Sequence, residues 1–186
     1  LKQLKEFSGG TSKTELRKAF IECAAIETFF LWNKFKKDKE REDKEQNEET
    51  LYVGGGKTTL DQVAQKQLDD GEIPEEFKRQ MFYTFGDYKD ICLGKDMGSD
   101  MDAVNTNIDN VFKNDAQTDG KKLDEKRKQW WEKNAQAIWK GMLCGLSYAS
   151  EKNDTVQTQL TNKYDYNNVT FNGGLTVNTK LTEFVT

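Results

Sequence analysis

The stretch WWEKNAQAIWKGMLCGLSYA, from Trp130 to Ala149, decides the fold class of this 186-residue chain. Its large apolar residues recur at the three- and four-residue intervals of one face of an α-helix. They are Trp130, Trp131, Ile138, Trp139, Met142, Leu143 and Leu146. Tryptophans so close together could form a ligand-stacking site, but between lysines and glutamates they are more typical of side chains packed against neighbouring helices. The stretch therefore predicts a long amphipathic helix.

Two further long helices are predicted upstream by the same spacing. Ser12, three residues before Glu15, forms a capping-box pattern that begins the first. Pro74 opens the second, shortly after Gly71 ends a shorter helix. The apolar residues of the first are Leu16, Ala19, Phe20, Cys23, Ile26, Phe29, Phe30 and Leu31, and those of the second are Phe77, Met81, Phe82, Phe85, Tyr88, Ile91 and Cys92.

Two shorter segments complete the helical pattern. Leu60, Val63, Ala64 and Leu68 mark the first, and Met101, Val104, Ile108, Val111 and Phe112 mark the second. Helices of this kind bury their apolar faces best against one another. The predicted fold class is all-α, a bundle of about four long helices whose faces carrying Phe30, Phe85 and Trp139 meet in a common interior.

Residues 1–186 are predicted to form one unit, and the segments outside its long helices are mostly polar. Residues 1–11 form a leader, residues 36–59 a charged and glycine-rich loop, and residues 150–180 a polar loop. The charged run after Phe35 is either a solvated helix extension or a disordered loop. Within the last loop, residues 169–171 and 175–177 flank Asn172-Gly173-Gly174, which predicts a small hairpin. A further helix is predicted to begin at Lys180.

Composition excludes several classes of function. The net charge of −4 gives no global positive field for nucleic acid. Histidine is absent, which excludes Ser-His-Asp catalysis and histidine-ligated zinc within this chain. The string VGGGKTT at residues 53–59 resembles a phosphate loop, but position 51, where the motif needs glycine, is Leu51. The sequence therefore predicts neither a cofactor nor a nucleic-acid partner.

Two sets of charged residues are candidates for a functional site. Glu27, with Asp87 or Asp90, could act as a catalytic carboxylate pair, although a buried carboxylate bonded to Lys, Trp or Tyr of a facing helix is the more common arrangement. Two basic clusters could bind a sulfated glycan if their side chains have no acidic partners. If acids such as Asp38, Glu40 and Glu125 neutralise them, they instead form a solvated, salt-bridged face. The clusters are Lys121, Lys122, Lys126, Arg127, Lys128 and Lys133, and Lys34, Lys36, Lys37 and Lys39.

The three cysteines, Cys23, Cys92 and Cys144, leave two interpretations open. Each lies in an apolar helical context, where a cysteine is often a small buried hydrophobe. Alternatively, two of them form a disulfide and one is left over, as in part of a larger disulfide-bonded domain. Their spacing is not that of a zinc or thioredoxin motif.

Three strings together resemble a known family. AFIECAAIETFFLWNKFKK (19–37), GEIPEEFKRQMFYTFGDYKDICLGKDMG (71–98) and WWEKNAQAIWKGMLCGLSYA (130–149) are similar, in order and approximate spacing, to the middle helical subdomain of Duffy-binding-like domains of malarial erythrocyte membrane adhesins. IETFFLW, GMLCGL and the VTFNGG…LTEFV tail look closest to the beta class.

The resemblance implies an adhesion module, not an enzyme, displayed on the infected red-cell surface. Its implied partners are a host cell-surface receptor, with an intercellular adhesion molecule as candidate, possibly a sulfated glycan, host antibodies, and other subdomains of the same adhesin. It also implies a disulfide between Cys23 and Cys144, with Cys92 buried or paired outside the chain.

No receptor-contacting residue is carried over from the family, because much of the contact is expected in a subdomain beyond Thr186, just as another subdomain is expected before Leu1. The candidate contact regions within this chain are the polar segments 36–57, 114–122 and 150–178.

Overall fold

A long helix organises this computed structural model, which describes residues 2–6, 12–48, 58–95, 98, 101–113, 122–172 and 178–184. Within these ranges the elements are α1 (Lys2–Glu6), α2 (Lys13–Glu48), α3 (Leu60–Asp69), α4 (Glu75–Leu93), α5 (Asp102–Lys113), α6 (Leu123–Ser147), α7 (Asn153–Lys163), β1 (Thr170–Asn172), β2 (Asn178–Lys180) and α8 (Leu181–Phe184). The predicted all-α class is confirmed, since the described sheet is one short hairpin beside the helices.

The helix boundaries follow the predicted local signals. The Ser12 amide donates to Glu15 Oε2 at 2.8 Å, and the Glu15 amide donates to Ser12 Oγ at 3.3 Å, so the capping box that begins α2 is present. Gly71 follows α3 with φ 76°, and Pro74 directly precedes α4. Gly94 ends α4 in the left-handed conformation that favours glycine.

Helices α2, α4 and α6 form the centre of the bundle. Trp32 of α2 contacts Phe77 near the start of α4, whereas Phe20 contacts Tyr88 near its end, so these two helices are antiparallel. Helices α2 and α6 share the most extensive interface and run parallel, with Ile21 beside Gly141 and Ala25 beside Gly145. Both glycines matter here, because a Cβ at either position would lie within 3 Å of α2.

Aromatic rings fill the space between α4 and α6. Phe85 and Trp139 are buried, with ring centroids 5.6 Å apart and nearly perpendicular planes. Phe82, about one turn before Phe85 on α4, also packs on Trp139, and Phe171 of the hairpin covers Phe82. The predicted packing role of the tryptophans is confirmed, because Trp130, Trp131 and Trp139 are all buried.

The predicted burial of Phe30 is wrong. Its side chain is 64% exposed, and that of Ile26 is 45% exposed. The buried positions of α2 include Thr28 and Trp32, and Phe30 is two residues from each. Two residues rotate a helix by about 200°, so Phe30 lies on the opposite face. Val63 of α3, predicted on a buried face, is likewise exposed.

The predicted loop at residues 36–59 is helical as far as Glu48. This polar half of α2 carries ion pairs one turn apart, such as Lys34 with Asp38 and Glu40 with Lys44, both at 2.7 Å. Buried Asp43 also accepts a hydrogen bond from the Leu60 amide at the start of α3, at 3.1 Å. The extended-helix alternative is therefore correct for residues 36–48, and residues 49–57 lie outside the described ranges.

The predicted polar loop at residues 150–180 contains a helix, α7, as well as a hairpin. Val156 and Leu160 of α7 are fully buried, and the Tyr164 carbonyl that follows accepts the Trp139 indole N–H at 2.7 Å. Phe171 pairs with Thr179 in the hairpin, whose described second strand is Asn178–Lys180, and the predicted strand residues 175–177 lie outside the described ranges. Helix α8 follows at Leu181, as expected.

The predicted leader at residues 1–11 also includes structure, since residues 2–6 form α1. Leu4 is buried, and its carbonyl accepts a hydrogen bond from the Asn107 side chain of α5 at 3.4 Å. Residues 7–11 lie outside the described ranges. Across those ranges, the helices lack the combination of length and apolar character that crossing a bilayer requires.

Candidate binding surface

The three cysteines are free thiols, and the predicted Cys23–Cys144 disulfide is absent from the structure. Cys23 is two positions from both Ile21 and Ala25, the residues that face α6, so it lies on the other side of α2. Its thiol donates to Gln3 Oε1 of α1 at 3.2 Å, whereas Cys144 Sγ accepts from Gln157 Nε2 of α7 at 2.8 Å.

Cys92 is buried, as expected for a cysteine without a partner. Burial raises the pKa of its thiol to about 12, so the thiolate that reacts with other groups is suppressed. Its Sγ lies 3.9 Å from the Arg127 carbonyl oxygen. Cys92 is therefore a packing residue of the α4–α6 contact.

Of the carboxylate candidates, Glu27 makes a structural contact, whereas Asp87 and Asp90 are exposed. The Tyr88 hydroxyl donates to Glu27 Oε2 at 2.6 Å, which is the predicted alternative of a carboxylate bonded to a facing helix. Burial, and then the negative charges of Glu27 and Asp90, raise the pKa of Asp87. Burial likewise raises the pKa of Tyr88 well above its ordinary range. In the ranges described, His, Cys, Asp and Glu side chains form no group of three suited to a metal ion.

The predicted basic clusters are largely neutralised. Arg127 is buried and pairs with Asp109 of α5, so it is a core residue and contributes nothing to a surface patch. Lys34 pairs with Asp38, and Lys39 pairs with Glu76 at 2.5 Å. Lys36 bonds Gln65. Exposed lysines remain at positions 122, 128 and 133 of the second cluster, among exposed acids at 124, 125 and 132, and Lys121 lies outside the described ranges.

Three of the five large apolar residues that are exposed in the described ranges, Ile26, Phe30 and Tyr148, lie at one groove between α2 and α6, which we call the α2–α6 groove. It encloses about 400 Å³ and is lined by Ala25, Ile26, Phe29, Phe30, Cys144, Gly145 and Tyr148. Ala25 and Gly145 form its floor where the two backbones approach most closely. Phe30 and Tyr148, 64% and 66% exposed, stand on opposite walls.

Sequence analysis missed this groove, although a signal for it was present. Between Ile26 and Trp32, apolar residues point in all directions around α2, which is more than one buried face can accommodate. Such an excess predicts either a fully buried helix or a second, exposed apolar face. The predicted contact regions, by contrast, are polar segments, and residues 49–57 and 114–121 of them lie outside the described ranges.

A second cleft, between α6 and α7, is a weaker candidate. Its volume of about 230 Å³ falls below the roughly 300–1,000 Å³ of typical ligand pockets. Asp165 on its wall already accepts bonds from the Asn167 amide at 3.1 Å and the Asn168 side chain at 2.8 Å. The larger and wholly apolar α2–α6 groove is therefore the better candidate for a binding surface.

Comparison with known proteins places this helical fold in a family. A family model described as Duffy binding domain matches residues 1–180. The chain belongs to the Duffy binding domain family. No individual curated protein and no solved structure matches it. The resemblance carried by the three sequence strings is thereby confirmed at the level of the family.

Membership in the Duffy binding domain family sets the broad function. This is a family of adhesion domains rather than of enzymes. An adhesion domain binds receptors of host cells and acts outside the cell. The exposed apolar α2–α6 groove agrees with a surface that recognises another molecule.

Proposed function

We propose that this Duffy binding domain is the host-receptor-binding module of a malarial erythrocyte membrane adhesin, and that it attaches infected erythrocytes to host cells. The observation that carries the proposal is the family match over residues 1–180. The architecture supports it, because a rigid helical scaffold is suited to holding a recognition surface in place.

The candidate receptor is an intercellular adhesion molecule. This choice rests on the similarity of IETFFLW, GMLCGL and the tail to beta-class domains. The exposed apolar groove favours a protein partner over a sulfated glycan, because sulfates are bound mainly by free cations. Lys34 and Lys39 of the first basic cluster are already in ion pairs, and Arg127 of the second is buried.

Surface plasmon resonance of the chain over an immobilised intercellular adhesion molecule ectodomain tests the proposal, with a heparin surface in parallel. We expect saturable binding to the ectodomain that weakens only moderately when salt rises from about 0.15 to about 0.5 M, since salt screens contacts between exposed charges but not apolar contacts. Heparin retention that falls steeply over the same range would instead indicate a sulfated-glycan-binding domain.

A third result would assign the receptor site elsewhere. If this chain binds neither surface while a longer chain carrying flanking subdomains binds the ectodomain, then these residues form a structural subdomain. The family assignment would stand, and the receptor-binding role of this chain would be refuted.

A further inference from the structure

The two exposed rings of the α2–α6 groove cover less surface than a stable protein–protein interface buries. An aromatic side chain presents on the order of 150–250 Å². Since Phe30 and Tyr148 are about two-thirds exposed, their rings together offer roughly 200–330 Å². A stable dimer buries about 800 Å² on each partner. The occupant that this apolar surface suits is therefore a narrow segment.

The walls of the groove define the shape of that segment. Ile26 and Phe30 are one helical turn apart on α2, and Cys144 and Tyr148 are one turn apart on α6. Four residues of helix span about 6 Å, so the groove accommodates side chains spaced by one turn. The small residues Ala25 and Gly145 let those side chains approach the floor. Grooves that bind an amphipathic helix have apolar walls with this spacing.

The rim of the groove is basic. Lys37 lies two turns beyond Phe30 on the same side of α2, Lys140 lies one turn before Cys144, and Lys152 follows Tyr148. In the part of the chain that the structure describes, none of these three lysines forms an ion pair. Glu151 is an acid of the same rim, and the nearby Lys18–Glu22 and Lys34–Asp38 pairs are neutral. Because Lys140 also lines the α6–α7 cleft, the positive charge near the groove rests on Lys37 and Lys152 against Glu151.

We propose that the α2–α6 groove binds an amphipathic helical segment of a partner protein, which presents two bulky apolar side chains one turn apart and carries acidic residues beside them. If the proposed function holds, this segment belongs to the host receptor, and the groove is the centre of the adhesive contact. Phe30 and Tyr148 are then the residues whose truncation weakens binding most.

A pair of peptides tests the chemistry of the groove without a receptor. One fluorescent peptide of about three helical turns carries two leucines one turn apart with glutamates at both ends, and its match carries lysines instead. By fluorescence anisotropy with the full chain, we expect the glutamate peptide to bind at least about ten-fold more tightly than the lysine peptide. Equal affinities, or no binding of the glutamate peptide, would overturn the proposal.

Variants locate the site. Phe30→Asp and Tyr148→Asp each should weaken the glutamate peptide by about ten-fold or more, because each places a carboxylate on an apolar wall facing an acidic partner. Val63→Asp, an equivalent change on an exposed apolar residue of α3, should have no effect. Circular dichroism of all three variants verifies the fold. Full peptide binding by both folded groove variants would refute the inference.

The same variants separate this inference from the proposed function. If the wild-type chain binds the receptor ectodomain and Phe30→Asp and Tyr148→Asp bind it equally well, the groove is not the receptor contact and the adhesive function survives. If the peptides behave as expected but no receptor binds, the groove chemistry stands and the receptor-binding role fails.

Discussion

Gly145 is the residue on which the contact of the two parallel helices depends most. A Cβ at this position would lie 2.2 Å from the Ala25 carbonyl oxygen and 2.7 Å from its Cα. Backbone atoms cannot rotate away as side chains can, so any side chain here must separate α2 from α6. Because Ala25 and Gly145 also form the floor of the α2–α6 groove, this close approach shapes both the core and the surface.

Gly145→Ala should therefore destabilise the protein by about 2–3 kcal/mol, the usual cost of overpacking a close contact. Gly86→Ala is the matched control, because its Cβ would meet only Phe184 at an ordinary 3.5 Å. Replacing a helical glycine by alanine without a clash stabilises by about 0.5–1 kcal/mol. Chemical denaturation measures both changes, and equal effects of the two substitutions would contradict the account.

Arg127 joins three helices through one buried guanidinium. Its Nη1 donates to the Cys92 carbonyl of α4 at 3.2 Å, and its Nη2 donates to Asn105 Oδ1 of α5 at 2.7 Å and to Asp109. The planar fork matters, because a lysine has one ammonium group and cannot reach these acceptors together.

Arg127→Lys should cost about 2–4 kcal/mol, since buried acceptors lose their donors while the charge remains. The same substitution at Arg41, an exposed residue paired with Asp38 at 3.3 Å, should stay within about 0.5 kcal/mol. Thermal denaturation of the two variants side by side gives the answer. A small effect at Arg127 would show that the guanidinium is not needed for the α4–α5–α6 contact.

Asp87 gives a pH-dependent prediction. Its pKa is raised, so the folded state binds the proton more tightly than the unfolded state, and stability is lost as pH rises from the ordinary value of 3.8 through the raised pKa. Asp87→Asn should therefore stabilise the protein at pH 7 by roughly 0.5 kcal/mol, the scale of an exposed charge interaction. The gain should shrink toward pH 4 in urea denaturation series. A gain independent of pH would contradict the cause given.

Individual residues were predictable from the sequence where a helix buries one clear face. Phe85 and Trp139 lie on such faces, and both are buried as predicted. Phe30 lies on no such face, because α2 carries apolar residues all around its axis between Ile26 and Trp32. Periodicity alone cannot decide which of these residues are buried. Periodicity alone also does not fix how α2 is rotated about its axis, and this rotation decides whether Cys23 can approach Cys144.

Elements with strong boundary signals were predicted well. Helix α4, between Pro74 and Gly94, and helix α6, with its tryptophans, appear where expected. Helix α7 was missed because only Val156 and Leu160 mark its buried face within a polar stretch. The polar half of α2 was ambiguous because ion pairs and a tertiary contact through Asp43 stabilise it, rather than an apolar face.

Asp43 links two of these elements, and its removal should weaken their contact. Asp43→Ala deletes the acceptor for the Leu60 amide. Because the first amides of a helix have no acceptor within that helix, the substitution should lower the free energy of unfolding by about 1 kcal/mol. Glu45→Ala is the control, because its side chain is exposed and its ion pair with Arg41, at 3.8 Å, is long. It should change the free energy of unfolding by less than about 0.5 kcal/mol in the same denaturation experiment.

At the scale of the whole molecule, the bundle separates a packed interior from one exposed apolar groove. The aromatic rings between α2, α4 and α6 are buried. Cys23, Cys92 and Arg127 are buried beside them, and Glu27 accepts a hydrogen bond from Tyr88. The α2–α6 groove is left as a large apolar surface with a basic rim. The proposed contact with a partner helix is at this groove.

Hydroxyl-radical footprinting of the chain, free and saturated with the intercellular adhesion molecule ectodomain, tests this claim most directly. Phe30 and Tyr148 report on the groove, and Tyr83 of α4, 53% exposed, is an internal control. The account predicts that oxidation of Phe30 and Tyr148 falls several-fold on binding while that of Tyr83 is unchanged. Unchanged oxidation of Phe30 and Tyr148 in a saturated complex would contradict it.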